Sequence, residues 1–287
     1  PSGYRGIDGV DHCAGGQPAG HRISIAGTGQ AQGRVLAGVC IIKQLSVRAL
    51  SHRFGHQQVL DTVSFDLAAG EAVALVGPFG CGKTTLLNLA AGLLQPWEGQ
   101  ITSHFVRPAM MFQQPRLLPW QRTRDNIALG LKAAGQPRAM RHARAGELAL
   151  RMGLAEDDLD KYPSALSGGM QSRAALARAL AVEPDLLLLD EAFAALDIGL
   201  KSELYRLLAN ERQSRNCAVL MITHDLMEAI RLADRILVMA GSPGRIVAEH
   251  AINTPLAARD ESWVFNRTAE FIRWPDIRAA FVLPELP

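Results

Sequence analysis

The run Gly77-Pro78-Phe79-Gly80-Cys81-Gly82-Lys83-Thr84-Thr85 leaves this chain few folds to choose from. A compact apolar run, Ala72 to Val76, precedes it and reads as a buried strand; Leu86 to Ala91 follows and reads as a helix. Strand, Gly-rich loop and helix make the context in which G-x-x-x-x-G-K-[ST] is a phosphate site. Backbone N–H groups of such a loop converge on phosphate oxygens, and the helix N-terminus adds favourable partial charge. Lys83 is expected to reach terminal phosphates, and the Thr84 hydroxyl to ligate Mg²⁺. Gly77, Gly80 and Gly82 are expected where a side chain would crowd a nucleotide. Cys81, inside the loop, is expected to be shielded once a nucleotide is bound.

A chain of 287 residues, 48% of them hydrophobic, can bury a substantial core in one large domain or two smaller ones. The formal charge of +2 gives no reason to propose nucleic acid as a partner. No apolar run approaches the roughly 18 residues that span a bilayer, so any work at a membrane means docking to something already there. Cys13, Cys40, Cys81 and Cys217 form no C-x-x-C pair, which argues against a disulfide scaffold or a zinc site. The front of the chain does not read as a secretory signal.

Residues 1–40 are Gly-rich and read as a flexible tail. Leu45, Val47 and Ala49 alternate with polar residues as in a half-buried strand, and Val63, Phe65 and Leu67 do so after a turn at Gly55. Phe54 lies between them, either a ring for stacking on adenine or a core aromatic; taken alone, the core is the simpler reading. Ile101 to Val106 is expected to be an edge strand, and Ala109 to Phe112 a further strand ending at Gln113. The apolar Arg116-Leu117-Leu118-Pro119-Trp120 cannot be helical and is either a core loop or an exposed docking surface. Thr123 is expected to cap a helix running from Arg124 to Ala134, and Arg138 to Met152 another. A helical insert of about 117–170 therefore interrupts an α/β core spanning 41–250, and 251–287 follows as aromatic-bearing short helices packed on it.

A second phosphate-sized cradle begins at Ser167-Gly168-Gly169, with Ser167 placed to cap a helix from Arg173 to Ala181. One nucleotide fills both cradles only if they lie side by side; otherwise the second serves a nucleotide held by another subunit. The continuous apolar Leu186 to Leu189 suits a strand buried on both faces and ends in Asp190-Glu191. Carboxylates at the end of a parallel strand lie where ligands bind in open α/β sheets. Asp190 is expected to hold Mg²⁺ through its water shell, and Glu191 to orient a water against a γ-phosphate. His224 ends another buried strand, Ala218 to Ile222, beside the same pocket.

Together these pieces resemble the ATP-binding subunits of ABC transporters, from about Leu45 to Glu249. Gly77 to Thr84 looks like Walker A, Leu186 to Asp190 like Walker B, Glu191 like the catalytic glutamate and Leu166 to Gln171 like the signature motif. Gln113 is similar to the Q-loop glutamine, a further Mg²⁺ contact, Asp197 to the D-loop aspartate, His224 to the switch histidine and Phe54 to the adenine-stacking aromatic. Phe79, Met170, Ser172 and Ala192 depart from the commonest family residues. The resemblance implies a P-loop NTPase (RecA-like) α/β core, an antiparallel β subdomain and a helical subdomain. It implies ATP and Mg²⁺ as ligands, and a homodimer closing head-to-tail with each ATP between one Walker A and the other subunit's Ser167, Gly168 and Gly169. A free-standing cassette whose Arg116–Trp120 segment resembles the nitrate, sulfonate, taurine and bicarbonate importers implies a peripheral subunit on the cytoplasmic face of the membrane. It would dock to transmembrane permease subunits and be served indirectly by a periplasmic or extracellular solute-binding protein. The alternative, an ABC ATPase of repair or translation, fits poorly with the short interval between Gln113 and Ser167 and with a single cassette.

Overall fold

The computed structural model describes residues 43–283 apart from Ala195 and Asp197; the N-terminal tail reading and the D-loop aspartate lie outside the described residues. The elements are β1 (Gln44–Phe54), β2 (Gln57–Ala68), β3 (Ala72–Val76), α1 (Lys83–Ala90), β4 (Glu98–Ser103) and β5 (Pro108–Met111). Next come α2 (Thr123–Ile127), α3 (Leu129–Ala133), α4 (Arg138–Arg151), α5 (Gly168–Ala181), β6 (Leu186–Asp190), α6 (Ile198–Arg215) and β7 (Ala218–Ile222). The last are α7 (Leu226–Leu232), β8 (Arg235–Ala240), β9 (Arg245–Ala251), α8 (Glu261–Phe271) and α9 (Pro275–Ala280).

Two sheets organise these elements. The larger has the order β5-β6-β7-β3-β8-β9, parallel except for β9; the smaller is antiparallel, β2-β1-β4. Strands β3, β6 and β7 are buried at every position, as a parallel sheet covered on both faces requires. Their side chains alternate between two cores. Ala74, Leu187, Leu189 and Met221 face a core shared with α2 to α9. Val73, Leu75, Leu188 and Leu220 face one shared with α1 and the antiparallel sheet. The strand period of two thus places α1 and α5 on opposite faces of the central sheet.

Three local expectations need correction. Ala49 does not continue the buried alternation of β1: it has φ +47°, is exposed, and the register with β2 shifts there so that Leu50 turns inward instead. Thr123 is not a cap but the first helical residue, and its fully buried hydroxyl donates to the Lys161 carbonyl at 2.9 Å, closing the insert on itself. The helix it starts is two short pieces meeting at Ala128, where Gly130, a weak helix former, lies against Val182. Finally, the helix capped by Ser167 begins at once with Gly168, not at Arg173.

After β9 the chain returns to the core through Arg259. Its guanidinium, 1% exposed, donates to the carbonyls of Ile230, Ala233, Ile252 and Thr254, with Asp234 3.8 Å away. The C-terminal carbonyls of α7 have no N–H donor within their own helix, and Arg259 satisfies them. Burial lowers its pKa, yet these carbonyls, that of Arg231 and a carboxylate hold the charge in place. His250 adds a second tie, with Nε2 2.6 Å from Asp276 and its ring against Phe271 and Trp274. Arg259→Ala orphans those carbonyls and is expected to lower unfolding free energy by about 2–4 kcal/mol in urea melts; a loss below about 0.5 kcal/mol would show that the tail is held by α8 and α9 alone.

Candidate active site

Parallel strands end where their loops can converge, and here four of them bring the candidate residues to one edge. The loop after β3 runs from Gly77 to Gly82 and leads into α1. Gly77, at φ +154°, could carry no side chain because a Cβ would lie 2.1 Å from the Met239 carbonyl oxygen. Gly82, at φ +91°, would meet Leu60 at 2.7 Å. These two glycines therefore let the loop press against β8 and β2, a correction to the expectation that they spare the nucleotide. Gly80, at φ +81°, has open space on that side and needs glycine for its backbone conformation.

Lys83, 7% exposed, turns back on its own loop and donates to the carbonyls of Gly77 and Pro78, each at 2.8 Å. A phosphate entering the loop competes for this ammonium with neutral carbonyls, a contest the anion wins. Cys81 is 2% exposed, with Sγ 3.8 Å from Lys83 Nζ, and burial pushes its pKa up. The protein itself therefore shields Cys81, and the expectation that a nucleotide does so is overturned. Thr84 is exposed and Thr85 half-buried on the first turn of α1.

The Thr84 hydroxyl donates to Asp190 Oδ1 at 3.3 Å, joining the loop to the end of β6. Asp190 is 3% exposed, and burial, helped by the neighbouring Glu191 charge, raises its pKa against the opposing pull of Thr84 and Lys83. Glu191 sits at φ +47° with its N–H donated to the Ile222 carbonyl at 3.0 Å, so β7 fixes an uncommon backbone conformation. That turn aims its carboxylate at two neighbours. Gln113 Nε2 donates to Glu191 Oε2 at 3.0 Å, and His224 Nδ1 lies 3.5 Å from the same oxygen. His224 precedes α7, whose first turn is capped by Asp225 accepting from Met227 and Glu228 N–H.

Phe79 projects from the loop 83% exposed, its ring centroid 6.2 Å from that of His224. Phe54, at the end of β1, is 52% exposed and so is not a core aromatic. Ser167 accepts from Met170 N–H at 3.3 Å, and no hydrogen bond or ion pair among the described residues joins the Ser167 turn to the P-loop. Gly168 faces open space. Since α5 and α1 lie on opposite faces of the sheet, the side-by-side arrangement of the two cradles gains no support.

The apolar Arg116–Trp120 segment divides. Leu117 packs against the core, while Trp120 stands 71% exposed over a groove of about 310 Å³ lined by Arg122, Asp125, Lys132 and Tyr162. Two residues that hold it were missed. Asn126, fully buried, accepts from Leu118 N–H at 2.7 Å and donates to the carbonyls of Leu118 and Gln121, each at 3.1 Å. Arg178 of α5 donates to the Pro115 and Arg116 carbonyls at 2.7 and 2.8 Å. An Asn inside a helical pattern was a signal that could have found the first; nothing local marks the second.

The ABC transporter family model matches residues 60–194. The chain is 46% identical over 211 residues to an aliphatic sulfonates import ATP-binding protein, SsuB, of Mycobacterium sp. (strain MCS), covering 74% of this chain and 84% of that one. A second protein of that name, from Paracoccus denitrificans (strain Pd 1222), is 43% identical over 78% of this chain and 89% of its own. Among solved structures, a dimeric ATP-binding cassette in a post-hydrolysis state bound to ADP and Pi superposes with TM-score 0.68 at 27% identity, covering 74% of this chain and all of that one.

The raised pKa of Asp190 means that the folded chain holds this proton more tightly than the unfolded chain does. Its stabilisation is complete below the unfolded pKa and is lost as pH rises through the folded one. Asp190→Asn is therefore expected to raise the neutral-pH melting temperature of the nucleotide-free protein, the gain shrinking as the buffer is acidified; a lowered midpoint at neutral pH contradicts this account.

Proposed function

The chain belongs to the ATP-binding family of ABC transporters, ATP-hydrolysing enzymes, and we propose that it powers import of a small anionic solute, an aliphatic sulfonate or a close analogue, through a separate membrane permease. The observation that carries the catalytic part is the convergence of Gln113 and His224 on one oxygen of Glu191, next to the Thr84–Asp190 pair.

The chemistry follows from these positions. Backbone N–H groups of Gly77 to Thr85 receive the triphosphate, and Lys83 leaves its two carbonyls for the terminal phosphates. Phe54, half open, offers a face for the adenine. The Thr84 hydroxyl, the Asp190 carboxylate and the Gln113 side-chain oxygen are hard donors that suit Mg²⁺. Mg²⁺, when bound, neutralises charge on the phosphates. Gln113 donates to Glu191 Oε2; once Gln113 turns away, that oxygen is free to accept a proton from the attacking water. His224, with its side chain 50% exposed, can swing from Glu191 to the γ-phosphate.

Ser167, Gly168 and Gly169 would grip the ATP of a second copy, since α5 and α1 pack in different cores and no hydrogen bond or ion pair among the described residues joins that turn to the P-loop. Hydrolysis would remove the extra contacts that favour the closed pair and so reopen it. Trp120, exposed beside the Gln113 loop, is the proposed contact for the permease on the cytoplasmic face of the membrane. Among the described residues no helix is long and apolar enough to cross a membrane, which leaves translocation to that permease. The solute class rests on the import proteins to which the chain is similar. A solute-binding protein would meet the permease and touch this subunit only through it.

Glu191→Gln keeps the shape of the side chain and removes its basicity. Steady-state hydrolysis is expected to fall by about 10²–10⁴-fold, and ATP to be retained with a dimer accumulating on size exclusion; undiminished hydrolysis would remove Glu191 from its role.

A further inference from the structure

His52 is a buried titratable residue that the mechanism above leaves unused. It lies in β1 paired with Leu60 of β2, is 7% exposed, and neither ring nitrogen has a hydrogen-bond partner among the described residues. Burying an imidazole without partners is unfavourable, and an apolar residue of similar shape would avoid that cost. What the ring does have is a directional contact with Phe54: centroids 4.8 Å apart, planes at 82°. That is the edge-to-face geometry aromatic rings prefer.

We propose that His52 is a positioning residue for nucleotide binding: packed beneath Phe54, it fixes the plane of that ring so that the nucleobase meets a pre-set stacking surface. The inference rests on the reading of Phe54 as the adenine-stacking ring. Phe54 ends its strand at the Gly55 turn and keeps 52% of its surface open, and the ring against it among the described residues is that of His52. His52 touches it from the protein side and leaves the outer side for a flat ligand. Ordering the ring before the ligand arrives removes part of the entropy cost of binding. The P-loop rests on β8 and on Leu60, the cross-strand partner of His52, so binding of inorganic triphosphate is the control that separates base recognition from a shift of that loop.

The test is equilibrium binding of MgATP and of inorganic triphosphate to the full chain by calorimetry, in wild type, His52→Ala, His52→Phe, Phe54→Ala and the double alanine variant. His52→Ala is expected to weaken ATP about three- to tenfold and leave inorganic triphosphate unchanged. His52→Phe should bind ATP as wild type does, because it keeps the ring contact and removes two orphaned nitrogens. In the double variant the losses should not add, since each alanine removes the same contact. Equal weakening toward both ligands, or additive losses, would overturn the proposal and leave His52 a packing residue. Should His52→Ala fail to fold, His52→Leu, which fills the space without an aromatic ring, must show the ATP-selective loss. If Phe54→Ala binds ATP normally, the adenine-stacking reading fails and this inference with it; if Phe54→Ala weakens ATP but the His52 variants do not, only this inference fails.

Discussion

Parallel pairing of β5, β6, β7 and β3 is the constraint on which the rest of the molecule depends. The register sets Met111 beside Leu189, Asp190 beside Ile222, and Leu75 beside Ile222, so neighbouring strands end within about one residue of each other. Whatever follows each strand then emerges on one edge: Gln113 after β5, Glu191 after β6, His224 after β7 and the P-loop after β3. No long-range side-chain contact needs to assemble the site. The backbone ladder does it, and the bond from Glu191 N–H to the Ile222 carbonyl extends that ladder one residue into the site itself.

The same sheet separates the two halves of the phosphate chemistry. Alternate residues of each strand face different cores, one shared with α1, the other with α5. A helix that begins at Lys83 and one that begins at Gly168 thus start from opposite layers. That separation is what the proposed completion of the pocket by another copy rests on. The site also carries a cost in the single chain: Asp190 is buried with its ionised form disfavoured, Glu191 holds a left-handed backbone, and Lys83 is satisfied only by carbonyls of its own loop. A divalent cation would favour the ionised form of Asp190 and a phosphate would compete for Lys83, whereas the Glu191 turn is held by β7.

Legibility in the sequence followed the range of the forces involved. The P-loop, the buried strand ending in Asp190-Glu191 and the cap at Ser167 are written within a few residues, and all three stand where local pattern puts them. The departures came from contacts between distant residues. Ala49 leaves the alternation because β1 must bend between two partners, a fact of pairing rather than of propensity. Cys81 is covered by its own protein, which a motif cannot show. Arg259 reaches the Ala233 carbonyl 26 residues away and Arg178 the Pro115 carbonyl 63 residues away, and nothing in the residues around either Arg hints at that. Asp197 falls outside the described residues.

A pocket shared between two copies can be read from complementation. Lys83→Ala disables one cradle and Ser167→Arg the other, so each variant alone should fail to retain ATP. Mixed in equal amounts, the two form pairs in which the P-loop of the Ser167→Arg chain faces the intact Ser167 of the Lys83→Ala chain, and the account predicts one ATP retained per mixed pair. A mixture that retains no more ATP than its separate parts would show that both cradles serve a pocket within one chain, and would contradict it.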